Sequence, residues 1–252
     1  MIEIFILSLI QGITEFLPIS SSSHLILASE YLDFKNQNLS IDVSLHIGSF
    51  IAVISYFYKD LINFFKNKFL FLKIFASSIP VITVGYILIN LGVMEKIRNL
   101  EVIAWTTFLF GILLFISDKF KIDKNIEKNF TLQKAIFIGI LQVLSLVPGV
   151  SRSGIAITAA RLLNFKRIDS AKISFLISIP ILAAISIFGL KNIIFSDDIS
   201  FAKVNLVAIF LSFLISFLTI KYFLIYINRF SLNIFVFYRI VLGVILLILT
   251  YL

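Results

Sequence analysis

Three ionisable side chains stand inside apolar sequence next to runs of serine, and their types are those that handle phosphate. In QGITEFLPISSSSHL, Gln11 and Glu15 are four apart and share a face on a helix, while Ser20 to Ser23 and His24 follow Pro18. In PGVSRSG, Pro148 and Gly149 stop one helix, Ser151 or Ser153 can cap the next, and Arg152 lies between the two serines. The backbone N–H groups at such a helix start favour an anion. The planar donor fork of Arg152 suits phosphate oxygens. The structural alternative is that Arg152 only pairs with Glu15 to close a core.

The first break supplies complementary groups. His24 falls in the first turn of its helix, where a neutral imidazole can act as base or nucleophile. A carboxylate beside a phosphate repels it unless a cation or a shared proton intervenes, so Glu15 reads as an acid/base group or a possible metal ligand. Taken singly, the serine run could be no more than a cap and His24 a satisfied helix-end residue. The other intramembrane ionisable residues read as structural. Arg239, in FVFYRIVLG, is close enough to its helix end to snorkel, and Arg161 could do the same or support Arg152. Asp42 and His46, four apart in IDVSLHIGS, read as a pair on one helix.

The elements that position these residues follow from composition. Of 252 residues 60% are apolar and 14% charged, with mean hydropathy +1.05, which implies an all-α integral membrane protein. The absence of cysteine excludes disulfides and thiolate metal sites. The net charge of +8 is spread over short loops rather than gathered on one solvated face, which speaks for orientation in a bilayer and against nucleic acid. No cleavable signal peptide is expected, because Met1 to Phe16 carries Glu3 in place of a basic start.

A helical span takes about 20 residues. Six stretches qualify: Ile41 to Tyr58, Ile74 to Leu91, Val102 to Ser117, Ile173 to Leu190, Val204 to Ile220 and Asn233 to Leu252. Two further apolar regions, Ile2 to Leu32 and Ala135 to Leu163, are broken by proline and serine, and each half is too short to span. They read as re-entrant helix–loop–helix hairpins (1–34 and 135–163) within one polytopic domain, 1–252, because irregular backbone at that depth needs protein or a wet cavity around it. With the prolines brought together, Gln11 falls near Gln142, and Ser20 and Ser22 near Ser151 and Ser153. Broken helices in corresponding halves mark a midplane binding site. If each hairpin re-enters on its own side, fourteen Lys and Arg, from Lys59 to Arg229, share one face; Lys35, Lys96, Arg98, Lys191 and Lys203 occupy the other. That bias places the first face in the cytoplasm and both termini outside, with the hairpins entering from opposite sides as an inverted repeat.

QGITEFLPISSSSHL and PGVSRSGIAIT resemble the two signatures of the undecaprenyl-diphosphate phosphatases, the bacitracin-resistance proteins, and IDVSLHIGSFIAV and FYRIVLGVILL are similar in the expected order. The resemblance implies hydrolysis of undecaprenyl diphosphate to the monophosphate in the bacterial inner membrane, recycling the carrier for peptidoglycan and other wall polymers. It implies Glu15, Ser21, His24 and Arg152 as catalytic, with Gln11, Ser20, Ser22, Ser151, Ser153 and Gly149 around the phosphate. The nucleophile stays open between Ser21, His24 and water. A divalent cation, Mg or Ca, is a possible cofactor, held mostly by the diphosphate and waters because no metal-ligand spacing occurs. The partners implied are the polyprenyl diphosphate and membrane lipid, with a homodimer one possible assembly. Two positions depart from the family pattern: Ala156 stands where a threonine is expected, with Thr158 the nearest hydroxyl, and Gln11 replaces an acid. A polyprenyl-phosphate flippase or other midplane anion transporter is the alternative, since inverted hairpins also build transporters. An inactive scaffold is disfavoured by the cost of charges in apolar surroundings.

Overall fold

Proline and serine divide the apolar runs where the sequence suggests. The computed structural model describes residues 1–32, 34, 39–66, 68–120, 122–194 and 199–252; Lys35 and Lys121 of the charge comparison lie outside them. In chain order the helices are α1 (Ile2–Thr14), α2 (Ser21–Leu32), α3 (Leu39–Tyr56), α4 (Tyr58–Lys66), α5 (Lys68–Asn90), α6 (Val93–Lys96) and α7 (Leu100–Asp118). There follow α8 (Ile126–Asn129), α9 (Leu132–Gln142) with a 3-10 turn over Val143–Leu146, α10 (Arg152–Leu162), α11 (Arg167–Ile194), α12 (Ile199–Arg229) and α13 (Asn233–Tyr251). Among the described residues there is no strand, only an isolated bridge between Lys124 and Phe165.

The six expected spans correspond to α3, α5, α7, α11, α12 and α13. Five are long and apolar enough to cross a membrane; α3 is shorter, its apolar part being Ser40–Tyr56. The expected end at Tyr58 moves back because the chain turns at Phe57 and the charged Lys59 and Asp60 open α4 as a separate helix.

Lipid tails are as apolar as leucine, so helices in a bilayer associate through close contact and polar bridges. The α3–α12 seam is built that way. Ser44 Oγ donates to Asn205 Oδ1 (3.0 Å), Ser212 Oγ to the Leu45 carbonyl (2.7 Å), and the hydroxyls of Ser49 and Ser216 are 3.0 Å apart. The first helix of each broken region docks on a long helix from the other half of the chain: α1 lies on α12, and α9 on α5. Both contacts need a glycine. A Cβ at Gly12 would run into Ile215, and one at Gly139 into the Ser77 backbone. Beneath the breaks, Phe16 meets Phe175 edge-on with ring centroids 5.3 Å apart in the main apolar cluster.

Arg161 neither snorkels nor supports Arg152. It is fully buried, and its Nη2 donates to the Asp118 (3.1 Å) and Phe120 (2.7 Å) carbonyls. Arg167 clamps the Asp118 carboxylate with Nε (2.7 Å) and Nη2 (3.0 Å). These contacts fasten the start of α11 to the end of α7. The expectation failed because these partners of Arg161 come from the end of another helix, α7, which periodicity does not reveal.

The docking of α9 on α5 generates a test. Gly139→Val forces α9 off the Ser77 backbone, and the unfolding temperature of the detergent-purified protein falls by several degrees, about 2–4 °C per kcal/mol lost at this size.

Candidate active site

Both breaks carry the same backbone device. Ser20 (φ 75°) and Ser151 (φ 72°) adopt the left-handed conformation one residue before α2 and α10 begin. Non-glycine residues there are strained by about 1–3 kcal/mol and persist only when their surroundings fix them. Ser151 Oγ accepts from Gly154 N–H (3.1 Å), capping α10. Ser20 Oγ lies 3.0 Å from Ser23 Oγ, and its carbonyl accepts from His24 Nδ1 (2.7 Å).

Arg239 holds the two breaks together. It is 1% exposed, and its guanidinium donates only to carbonyls. Nη1 reaches Pro18 (3.1 Å) and Val150 (3.1 Å), Nη2 reaches Gly149 (2.8 Å) and Thr106 (3.4 Å), and Nε reaches Thr107 (3.3 Å). The structural role expected for Arg239 is present, but the side chain does not snorkel, because the carbonyls left unpaired by two broken helices draw it inward.

Glu15, directly after α1, receives side chains from both breaks. Arg152 Nη2 donates to its Oε1 (2.6 Å), Ser21 Oγ to its Oε2 (2.5 Å), and Gln11 Nε2 also to Oε2 (3.0 Å). Arg152 Nη1, buried, has no hydrogen-bond partner among the described residues. Beside this cluster is a cavity of about 160 Å³ lined by Glu15, Ser20, Ser21, Ser22, His46, Ser145, Ser151 and Arg152, with apolar walls from Val81, Leu146, Ile181 and Ile185. Val81 and Ile181 each follow a proline inside a long helix, Pro80 in α5 and Pro180 in α11.

The structure thus brings together Gln11, Glu15, Ser20, Ser21, Ser22, Ser151 and Arg152. It does not bring His24, Ser153 or Gly149 to the cavity. His24 has both ring nitrogens engaged, Nδ1 with the Ser20 carbonyl and Nε2 with the Tyr238 hydroxyl (2.6 Å). Ser153 Oγ turns away to the Leu17 carbonyl (2.7 Å). Gly149 (φ 91°) works through its backbone, since a side chain there would strike Thr106. Ala156 and Thr158 are both buried outside the cavity lining, so the missing threonine removes no group from it. Two polar residues of the lining escape sequence reasoning. Ser145 lies in the 3-10 turn without a motif to mark it. His46, read as the partner of Asp42, instead places Nδ1 3.0 Å from Gln11 Nε2 and 3.8 Å from Glu15 Oε2; its intramembrane position was the available signal.

Helices of this length and apolarity, enclosing a charged, serine-lined cavity between two breaks, define a multi-pass membrane protein with an internal polar site. The chain belongs to the family of bacitracin resistance protein BacA, whose model matches residues 4–245. It is 48% identical over 251 residues to the undecaprenyl-diphosphatase of Pelagibacter ubique (strain HTCC1062), covering 99% of this chain and 98% of that protein. It is 38% identical over 262 residues to the undecaprenyl-diphosphatase of Jannaschia sp. (strain CCS1), covering 98% of each.

Replacing Arg239 by methionine keeps the bulk and removes every donor. Each orphaned buried carbonyl costs about 1–3 kcal/mol, so thermal unfolding in detergent moves down by about 10 °C; Arg239→Lys recovers part of the loss.

Proposed function

We infer that the chain hydrolyses undecaprenyl diphosphate to undecaprenyl phosphate and inorganic phosphate, recycling the lipid carrier for peptidoglycan and conferring bacitracin resistance. Family membership and the phosphatase name of its relatives support the activity over bare lipid transport. The observation that carries the mechanism is the double engagement of Glu15: a hydroxyl on one carboxylate oxygen, a guanidinium on the other, and a partnerless Arg152 Nη1 beside the cavity.

Arg152 and the starts of α2 and α10 hold the terminal phosphate, with the hydroxyls of Ser20, Ser22 and Ser151 around it. Ser21 is the nucleophile, because its hydroxyl already donates to Glu15 whereas both nitrogens of His24 are occupied. Its Oγ bonds to the terminal phosphorus as the bridging P–O bond breaks, and its proton passes to Glu15. Glu15 returns that proton to the departing oxygen, and undecaprenyl phosphate leaves. Water then attacks the phosphoserine and gives a proton to Glu15, the Oγ–P bond breaks, Glu15 passes that proton to Ser21 Oγ, and inorganic phosphate departs. Positioning and charge neutralisation carry most of such a reaction.

Among the described residues no three His, Asp or Glu form a metal-binding group, and both Glu15 oxygens are engaged. A divalent ion, Mg or Ca, therefore fits as a counter-ion riding on the diphosphate rather than as a resident of the protein. The isoprenoid chain stays in lipid, where an apolar groove of about 550 Å³ along α1, α12 and α13 includes Leu17 of the first break.

The two broken regions form an inverted pair of re-entrant hairpins in the bacterial inner membrane. The repeat is in register on its serines rather than its prolines: with Ser20 on Ser151, Gln11 falls on Gln142 and Ser21 on Arg152. Shared left-handed serines and the exchanged docking of α1 and α9 support that reading.

Purified Arg152→Ala, Glu15→Ala and Ser21→Ala each release no phosphate from undecaprenyl diphosphate, with or without chelator; near-normal turnover in the first two ends the proposal, and in Ser21→Ala hands the attack to water. The cysteine-free chain allows orientation to be read directly. In intact cells a membrane-impermeant maleimide labels Leu252→Cys and spares Lys128→Cys; the opposite pattern inverts the topology.

A further inference from the structure

We propose that His46 is a substrate-binding residue: a neutral imidazole whose Nε2–H donates to the diphosphate, fixed in that tautomer by Gln11. This rests on the cavity being the phosphate site. The argument starts from Glu15, which as the carboxylate partner of Arg152 can only accept hydrogen bonds. Gln11 must therefore present its NH₂ group to Glu15 rather than its carbonyl, which settles the amide orientation on chemical grounds. That nitrogen is 3.0 Å from Glu15 Oε2 and 3.0 Å from His46 Nδ1. Two hydrogens meet two acceptors, so Nδ1 of His46 carries no proton and Nε2 carries one.

His46 is 23% exposed at its side chain and lines the cavity, and Nδ1 is the ring nitrogen that Gln11 occupies. The remaining N–H is a donor without a protein acceptor among the described residues, in a chamber whose other side-chain donors are Arg152 and serine hydroxyls. A fixed donor of that kind suits a phosphate oxygen. The same geometry explains what glutamine does at position 11. A carboxylate there would accept from Nδ1 and turn the ring's donor inward, whereas the amide turns it outward. Gln11 is thus a positioning residue for both Glu15 and His46.

The protein has two histidines, and they are held in opposite tautomers. His24 donates through Nδ1 to the Ser20 carbonyl and accepts at Nε2 from the Tyr238 hydroxyl, which has no other acceptor among the described residues. ¹⁵N-histidine spectra of the full-length protein in detergent micelles, assigned with His46→Gln, show one ring protonated at Nδ1 and the other at Nε2. Inorganic pyrophosphate shifts the Nε2–H signal of His46 and leaves His24 in place. Gln11→Glu moves the His46 proton to Nδ1 and weakens pyrophosphate binding. In turnover assays His46→Ala raises KM for undecaprenyl diphosphate about tenfold or more, the usual loss for a hydrogen bond to a charged group, and His46→Gln, which keeps an acceptor and a donor, restores most of it. Both histidines in the same tautomer, or pyrophosphate leaving His46 unmoved, overturns the proposal. A pyrophosphate response without lipid phosphatase activity instead sustains the site and refutes the proposed reaction.

Discussion

A broken helix buried among apolar helices leaves carbonyls with no water to bond, and this protein has two such breaks side by side. The guanidinium of Arg239 meets that requirement for both at once, reaching Pro18 in one and Gly149 and Val150 in the other. The left-handed serines, the starts of α2 and α10 and the meeting of Glu15 with Arg152 all depend on the two loops being held at fixed separation. Charge with no carboxylate partner is costly at this depth, and five carbonyl acceptors in place of a counter-ion are how the fold offsets it. The clasp also contributes positive potential beside the site, in keeping with an anionic substrate.

The two breaks share a backbone device while their chemistry differs. Ser21 and Arg152 occupy corresponding first positions of α2 and α10, and both donate to Glu15, one to each oxygen. The position matching Glu15 in the second region is Leu146, which forms part of the apolar wall. One carboxylate therefore receives what both loops deliver, a hydroxyl from one side and a fixed positive charge from the other. A second carboxylate in place of Leu146 would compete for the guanidinium and repel the substrate.

Much of this was legible from spacing. Six apolar stretches became six helices, both proline–serine interruptions became breaks, and the pairing of Glu15 with Arg152 across 137 positions, the structural alternative for Arg152, is present beside the cavity. What stayed hidden depended on partners from distant elements. His46 was assigned to Asp42 because helical periodicity reports only neighbours on the same helix, whereas its contact, Gln11, comes from α1. His24 looked catalytic beside its serines, yet Tyr238 of α13 takes its outer nitrogen. Arg239 lies near enough to its helix end by sequence to snorkel, and only the carbonyls gathered opposite it explain why it turns inward.

The exchanged docking of α1 and α9 bears on biosynthesis. During translation α1 enters the bilayer well before its support, α12, has been made, whereas α9 finds α5 already in place. Glu15 and the first serine run must therefore wait in the translocation machinery or in a hydrated pocket while most of the polypeptide is threaded past them. The residue that clasps both loops arrives on α13, after all the others, so a nascent chain that stalls earlier carries every catalytic group and still lacks an assembled centre. Activity is in this way withheld from unfinished copies.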